Sequence, residues 1–303
     1  PGAHSQPVLA ARAEAASSSN AEPPITSPRA LTTWLQARLS FINHAELPVM
    51  AAAFATKSGQ LLVADGRELR LYAGTQQVRR MPLPVTSHNA PVSAIHYNTK
   101  GDQFVLVYAA SEARIVSNDL GTHADGTLAI SQKQILSSAW LDDRQELVTA
   151  GSDGTLKYFL TQRHYTVELT GRRLISKLVP RMTIRTEWKW MSHMCADESN
   201  GRLFVANERE VLIWHNATGE LLQRLPDLHT ADMRNLAFCP GSGFLLTTAH
   251  DGIIKKWVIA PNGPILIEEL HGHAKVITAM ATAAQGRLLA TCSEDGTRSH
   301  PPA

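Results

Sequence analysis

Short apolar segments recur along this chain in a steady rhythm from about residue 45 onward. The rhythm is clearest between 229 and 296, where apolar runs near Met233–Phe238 and Phe244–Ala249 precede Ile253–Ile259. An Asp-Gly pair follows the second run of each copy, at 251–252 and at 295–296. Units of about 40–45 residues, each with four short strands, are typical of repeated β architectures. The pattern therefore predicts a repeated, all-β domain.

Six such units are predicted, over 49–83, 92–131, 135–169, 190–225, 233–270 and 276–292. Asp-Gly pairs fall between the second and third strands of four of them, at 65–66, 153–154, 251–252 and 295–296. Asp-Gly favours tight hairpin turns, because Gly tolerates positive φ and Asp bonds the turn backbone. In the third unit the pattern predicts the fourth strand at Tyr165–Leu169.

The segment that precedes the units has a different composition. Residues 1–27 are rich in Ala, Ser and Pro, which predicts a disordered tail, since they cannot bury enough apolar surface to offset chain entropy. Residues 28–44 are predicted to form a short helix and linker, with Ser27 as N-cap and Pro28 at the first helical position. A strand over 35–43 is the competing interpretation. Residues 45–303 form the predicted repeat domain.

Composition narrows the class of protein. Hydrophobic residues make up 44% of the chain and charged residues 18%, which is typical of a globular protein. The net charge of +2 gives no general attraction to nucleic acid or membranes. Charges interrupt every long apolar run, so none is long enough to span a bilayer. The three cysteines form no CxxC pair, and no glycine-rich phosphate loop is present, so we expect no cofactor and no metal.

The fifth unit carries the most specific pattern, with His229, Thr248, Asp251 and Trp257 at characteristic spacing. In this pattern the unit resembles a repeat of the WD-repeat β-propeller family. The resemblance implies an all-β propeller of about six recognisable blades. It also implies that these four side chains form a buried, hydrogen-bonded tetrad with a structural role.

The other units depart from the family pattern. The sixth has His273 and Asp295, with Cys292 at the position expected for the hydroxyl. In the third, Ala150 and Phe159 stand at the hydroxyl and Trp positions. After Gly296 the two prolines of the chain's end disfavour a further strand. We therefore expect an incomplete last blade, and a propeller that is either truncated or continued in a second segment.

Two clusters invite a chemical interpretation. His193, Cys195 and Asp197 alternate along one predicted strand, whereas a catalytic triad needs convergent geometry. His271-Gly272-His273 is interpreted as the family's Gly-His loop, since no Cys or carboxylate stands beside it at zinc-ligand spacing.

The segment 171–189 lengthens the third unit and is strongly basic. One interpretation is a surface loop that binds an acidic protein partner or nucleic acid, and the other is a solvated outer strand. Because the rest of the chain is not basic, a protein partner is favoured over nucleic acid. The candidate contact residues are Arg172, Arg173, Lys177, Arg181, Arg185, Trp188 and Lys189.

The sequence and the resemblance together predict a non-catalytic scaffold that mediates protein–protein contacts in a larger assembly. Its partners are expected to be other proteins of a multisubunit complex, with no membrane contact. The expected location is the cytoplasm, with the cilium or axoneme as the leading hypothesis, because large WD-repeat scaffolds occur there. The alternative is a propeller that binds a ligand or nucleic acid through 171–189.

Overall fold

A computed structural model describes residues 49–84, 90–118, 120, 125–130, 132–168, 171–283, 288–296 and 298–299. The predicted tail over 1–27 and helix over 28–44 lie outside these residues. Within them the structure consists of strands β1 to β23, arranged in six antiparallel sheets. We call these sheets blades one to six.

The strands follow the predicted units closely. Blade one contains β1 (Ala51–Ala55), β2 (Gln60–Ala64), β3 (Glu68–Ala73) and β4 (Gln76–Pro82); blade two contains β5 (Val92–Asn98), β6 (Gln103–Tyr108), β7 (Glu112–Ser117) and β8 (Asp125–Ala129). Blade three contains β9 (Ile135–Leu141), β10 (Glu146–Gly151), β11 (Thr155–Glu168) and β12 (Gly171–Arg185); blade four contains β13 (Met191–Asp197), β14 (Arg202–Asn207), β15 (Glu210–His215) and β16 (Leu221–Leu225). Blade five contains β17 (Met233–Cys239), β18 (Phe244–Ala249), β19 (Ile254–Ala260) and β20 (Gly263–Leu270); blade six contains β21 (Ile277–Ala283), β22 (Leu288–Ser293) and β23 (Arg298–Ser299).

Every blade is an antiparallel meander, with its strands in chain order across the sheet. The first strand of each blade also neighbours the first strand of the next, from β1 beside β5 to β17 beside β21. First strands are therefore innermost, and fourth strands form the outer edges.

The pairing register shifts at two recurring places. One shift lies near the start of the inner strand, as between Met191 and His193 and between Met233 and Asn235. The other lies where the third strand meets the fourth, as between Lys256 and Trp257. A β-bulge at such a shift increases the local twist of the sheet. Because the shifts recur, neighbouring blades acquire similar twist and can pack face to face.

The predicted Asp-Gly turns are confirmed. The Asp65 carboxylate accepts hydrogen bonds of 2.8 Å from the backbone N–H groups of Arg67 and Glu68. Asp251 accepts in the same way from the N–H of Ile253, at 3.0 Å. Gly252 has φ of +73°, and a Cβ there would lie 2.8 Å from the Lys275 carbonyl oxygen. Only glycine fits this turn without strain.

The apolar core is divided into clusters that lie between neighbouring blades. In β14, Phe204 belongs to the cluster between blades four and five, and Val205 belongs to the cluster between blades three and four. Successive residues of a strand point to opposite faces of a sheet. Each inner blade therefore buries both of its faces against its neighbours.

Hydrogen bonds also join the inner strands of adjacent blades. His96 Nε2 and Ser138 Oγ are 2.8 Å apart across blades two and three. The Ser137 hydroxyl donates to the Met191 carbonyl at 2.7 Å, and the Asn235 amide donates to the Ile277 carbonyl at 2.9 Å. Burial lowers the pKa of His96 to about 4, so at neutral pH this imidazole is uncharged.

Two predictions about strand positions are wrong. The fourth strand of blade three is β12, whereas Tyr165–Leu169 was predicted, because β11 continues without a turn to Glu168. A short third strand, β23, also exists in blade six, where none was predicted. Arg298 and Ser299 pair with Cys292 and Thr291 before the prolines are reached. In the described residues, blade six thus has three strands and stays the shortest blade, as expected.

Candidate functional site

The best-matching repeat carries a buried chain of hydrogen bonds. His229 Nδ1 lies 3.0 Å from Asp251 Oδ2, and His229 Nε2 lies 2.7 Å from Thr247 Oγ1. Trp257 Nε1 donates to the same hydroxyl at 2.9 Å. Burial chiefly lowers the pKa of His229, which favours the neutral imidazole. With its proton on Nδ1, the imidazole donates to Asp251 and accepts from Thr247, so every group in this relay is paired.

The hydroxyl in this relay belongs to Thr247, and the assignment to Thr248 was wrong. Thr248 Oγ1 instead accepts a 3.2 Å hydrogen bond from the Asn235 amide, which contacts blade six. Adjacent residues of a strand point to opposite faces, so an error of one residue selects the wrong face. Asp251, Trp257 and His229 all belong to the relay.

Blade six repeats the same arrangement. His273 Nδ1 lies 3.1 Å from Asp295 Oδ2, and His273 Nε2 lies 2.9 Å from Thr291 Oγ1. The assignment of Cys292 to the hydroxyl position was therefore wrong by the same single residue. The hydroxyl stands four residues before the turn Asp in both blades.

Blade three builds a different relay at the same place, and the sequence analysis missed it. The Thr149 hydroxyl donates to Gln132 Oε1 at 2.8 Å. Gln132 Nε2 contacts Thr155 Oγ1 at 2.9 Å, and that hydroxyl donates to Asp153 at 2.7 Å. Thr149, not Ala150, holds the hydroxyl position. The spacing from Gln132 to Asp153, nearly that from His229 to Asp251, is the signal that could have found it.

Blade four keeps the indole and lacks the hydroxyl. Trp214 occupies the position of Trp257, since both pair with the same strand position, Leu203 and Leu245 respectively. Val205 stands where Thr247 stands in blade five. Trp214 Nε1 is buried and has no hydrogen-bond partner in the described part of the chain. The polar relay thus varies from blade to blade while the apolar packing is kept.

The basic segment 171–189 lies mostly in an outer strand. It forms β12, which pairs along its length with β11 to build a long hairpin. The surface-loop interpretation was wrong, and the outer-strand alternative describes the structure. Ser176 and Leu178 are buried, and Leu178 packs in the apolar cluster between blades two and three. The hairpin therefore helps to hold two blades together.

Arg181 is part of the fold's interior framework. Its Nε lies 2.7 Å from Glu146 Oε1, and its Nη2 lies 3.0 Å from Glu146 Oε2. The guanidinium also donates to the Ala217 carbonyl at 3.1 Å and lies 5.1 Å from the ring centre of Tyr158. Glu146 is only 2% exposed, and the Arg144 Nε also lies 3.1 Å from its Oε2, so two guanidinium groups pair with this buried carboxylate.

Trp188 also packs within the molecule. Its ring meets Trp214 edge to face at 6.1 Å, and its Nε1 donates to Glu210 at 2.8 Å. The Arg224 guanidinium lies 5.1 Å from the centre of the Trp188 ring. Both the indole N–H and the ring of Trp188 make contacts within the chain, so Trp188 is a packing residue.

The remaining cations do not form one patch. Lys177, Arg185 and Lys189 are exposed. Lys177 and Arg185 are eight residues apart in β12, which separates them by about 26 Å along the strand. The side chains of Arg172 and Arg173 lie outside the described part. The structure thus separates two internally paired residues, Arg181 and Trp188, from the exposed cations Lys177, Arg185 and Lys189.

Trp190, which was not among the predicted contacts, is the most exposed large apolar side chain described, at 60%. It borders a depression of about 320 Å³ between blades four and five, lined by Trp190, Ser192, Glu208, Asp232, Met233, Arg234 and His250. Arg209 Nε lies 3.5 Å from Asp232 Oδ1 at its edge. We call this surface the Trp190 depression. The sequence alone does not show that the Trp190 side chain is exposed. Its position next to Lys189, at the start of an inner strand, was nevertheless a signal that could have indicated a surface residue.

The alternating residues of β13 serve separate purposes. Asp197 bonds Ser199, Asn200 and Arg202, the last at 2.6 Å, and these contacts keep its pKa below the usual range against the effect of burial. Burial lowers the pKa of His193 to about 4 and raises that of the Cys195 thiol. His193 contacts Ser192 at 3.0 Å. The three side chains form no relay to one another in the described structure, and the thiol is protonated at neutral pH.

Two further observations concern the described residues. No group of three or more His, Cys, Asp or Glu side chains is placed to hold a metal ion there. None of the described segments forms a helix long and apolar enough to cross a membrane.

Replacing Thr247 by Val should destabilise the domain by about 3 kcal/mol, because both the His229 and Trp257 ring nitrogens lose a buried partner. Replacing Thr248 by Val, the matched control, should cost about 1 kcal/mol. Urea unfolding of each variant, followed by tryptophan fluorescence, measures the difference. An equal or larger loss for the Thr248 variant would contradict the assignment.

Replacing Arg181 by Met should cost about 2 kcal/mol of unfolding free energy, because Glu146 loses charge-assisted hydrogen bonds in a buried site. Arg185→Met changes an exposed side chain of the same strand and should stay within about 0.5 kcal/mol of the unsubstituted chain. The same urea measurement applies. Similar stability of the two variants would show that Arg181 is not part of the framework.

Comparison with known proteins agrees with this geometry. The family model of the WD domain, G-beta repeat (WD40), matches residues 219–257 and 264–297. No curated protein shows significant sequence similarity to the chain. Among solved structures, a chain of the "Crystal Structure of Mitotic Checkpoint Complex" matches with a TM-score of 0.68 at 16% identity, covering 86% of this chain and 76% of that chain.

The matched residues include the two relays in which His, Thr and Asp combine, those of blades five and six. The structural match extends over blades in which the sequence pattern has faded, and at its low identity it bears on the fold. The antiparallel meanders, the recurrent relays and the matched repeats together identify a β-propeller fold with WD40 repeats over 219–257 and 264–297.

Proposed function

We propose that this protein is a non-catalytic scaffold that binds other proteins, and that the Trp190 depression is its principal contact surface. The observation that carries the proposal is the exposed indole of Trp190 beside a concave surface. Trp and Arg are enriched among the residues that dominate protein–protein binding energies, particularly where they fill or border pockets. WD-repeat propellers generally serve as such scaffolds, which supports the same conclusion by analogy.

The charges around the depression favour a partner with its own mixed, partly acidic surface. Lys189, Arg209 and Arg234 are exposed near Trp190, and Glu208 and Asp232 are exposed beside them. Alternating signs favour one orientation of a partner over others, because mismatched pairs repel. A predominantly acidic partner surface, as the sequence suggested, would use Lys189 and Arg234 most directly.

Replacing Trp190 by Ala should reduce recovery of the principal partners at least tenfold, because truncating a central Trp typically costs 2 kcal/mol or more of binding energy. Leu222→Ala is the matched control, since Leu222 is an exposed apolar residue on the outer strand of blade four. Quantitative affinity purification of the full tagged chain compares the variants. Recovery within twofold for both would contradict a central role for Trp190.

For the cellular setting we propose the cytoplasm, at the cilium or axoneme, because several large WD-repeat scaffolds belong to cilia and axonemes. A tagged full-length chain should colocalise with axonemal tubulin in ciliated cells. Uniform cytosolic fluorescence with no axonemal signal would contradict this setting and leave the scaffold proposal intact.

A further inference from the structure

The outer strand of blade five, β20, presents a run of apolar side chains to solvent. Ile265, Leu266 and Ile267 are 52%, 43% and 50% exposed, and no other exposed large apolar residues of the described chain are adjacent in sequence. β20 pairs with β19 on its inner side, and none of the described strands pairs with its outer side. Such an edge presents backbone N–H and C=O groups to which a further strand can pair.

The outer strands of three other blades are protected against such pairing. Blades one, three and four carry exposed cations on β4, β12 and β16, namely Arg79, Lys177 and Arg224. Charged side chains on an edge strand disfavour the addition of another strand. β20 contains no Lys or Arg, and its two charges, Glu268 and Glu269, both follow the apolar run. Its apolar part is therefore unprotected, and its charged end is acidic.

The strand already paired with β20 shows which sequence suits it. β19 runs antiparallel to β20 and places two lysines opposite the two glutamates and apolar residues opposite the apolar run. The pairs are Lys255 with Glu269, Lys256 with Glu268, Trp257 with Leu266 and Val258 with Ile265. The side chains of Glu268 and Glu269 nevertheless stay 50% and 36% exposed. Cations directly opposite them on a further strand would therefore be stabilising.

Charge complementarity distinguishes between the possible occupants of this edge. A second copy of the chain would bring another β20, which supplies no cation to Glu268 or Glu269. β19 does carry lysines, but β18 and β20 already pair with its two sides. A segment of a different protein with basic residues at one end is therefore favoured over a second copy.

We infer that the outer side of β20 binds an extended segment of a partner protein, which pairs antiparallel as a fifth strand of blade five. Two consecutive Lys or Arg residues of the segment lie opposite Glu269 and Glu268, and apolar residues follow them along Ile267, Leu266 and Ile265. Main-chain hydrogen bonds supply the affinity, and the charges set direction and register. No residue of β20 lines the Trp190 depression, so the inference goes beyond the function proposed above.

The probe is the peptide Gly-Lys-Lys-Val-Thr-Val-Thr, amidated at its C-terminus and labelled with fluorescein at its N-terminus. It should bind the full chain in a fluorescence anisotropy titration. The same peptide with Glu-Glu in place of Lys-Lys should bind about tenfold more weakly, because like charges then lie opposite each other. Equal affinity of the two peptides, or no binding of either, would overturn the inference.

Backbone methylation separates strand pairing from simple apolar contact. Alternate N–H groups of a strand point to opposite sides, so N-methylation of every second residue leaves one edge of the peptide able to pair. The better of the two alternately methylated peptides should bind within about threefold of the parent, and N-methylation of every residue should abolish binding. Undiminished binding of the fully methylated peptide would overturn the inference.

Ile267→Lys places a cation within the apolar run and should weaken binding of the Lys-Lys peptide about tenfold. Val78→Lys is the matched control, because Val78 is 51% exposed on β4, the outer strand of blade one, and this variant should bind normally. Equal affinities of the two variants would count against β20. Trp190→Ala should leave the peptide affinity unchanged, which separates this test from that of the scaffold proposal.

Two further measurements apply if the Ile267 variant does not fold. Glu268→Lys changes an exposed side chain and should weaken the Lys-Lys peptide and strengthen the Glu-Glu peptide, by about threefold each. An unaltered preference for Lys-Lys would overturn the proposed register. Sedimentation velocity of the unsubstituted chain should show no dimer that the Lys-Lys peptide dissociates. Such a dimer would overturn the partner assignment, since a second copy would then be the occupant.

Discussion

Face-to-face burial between neighbouring sheets is the interaction on which the rest of this structure depends. In β6 and β10 every residue is buried, because consecutive side chains enter the interfaces on opposite sides of the blade. A lone four-stranded sheet of this composition would expose both apolar faces to water, at about 25 cal/mol for each Å². Each blade therefore needs a neighbouring blade on each face to bury its apolar side chains. This need explains why apolar segments recur along the sequence at the spacing of the blades.

The polar relays follow from the dryness of those interfaces. A buried donor without a partner costs about 1–3 kcal/mol, so a hydroxyl between blades needs a complete set of partners. Blade five meets the need with His229 and Trp257, and blade three meets it with Gln132. Blade four does without a hydroxyl, and the Trp214 indole N–H has no hydrogen-bond partner among the described residues. The relay is thus adjustable, whereas a buried aromatic ring at the same depth is kept in blades three, four and five, as Phe159, Trp214 and Trp257.

Periodicity and turn chemistry were sufficient to predict the all-β class, the six units and most strand positions. They were not sufficient to predict which residues form the relays. A turn determines where a strand starts, but the β-bulges determine which side chains of that strand face the neighbouring blade. Thr247 and Thr248 are chemically alike, and only the register separates the hydroxyl that meets His229 from the one that meets Asn235. The threonine four residues before the turn Asp, at 149, 247 and 291, was a repeated signal in the sequence. This signal was missed because the hydroxyl position was assigned from a single repeat.

The basic segment shows a second limit, since charge was given more weight than alternation. Ser176 and Leu178 point inward while Lys177 points outward, which is the pattern of a strand with one solvated face. Net charge reports on the solvated face alone, so it could not show that Leu178 joins two blades or that Arg181 neutralises Glu146. A contact surface has to be inferred from side chains that the fold leaves unused.

Trp188 and Trp190 illustrate this criterion, because two residues of the same type lie two positions apart with opposite fates. Trp188 contacts Trp214, Glu210 and Arg224, and it gains packing and a hydrogen bond within the chain. Trp190 leaves most of its ring in water, although burying that area would stabilise the chain by about 2–3 kcal/mol. That free energy is available to a partner that covers the ring.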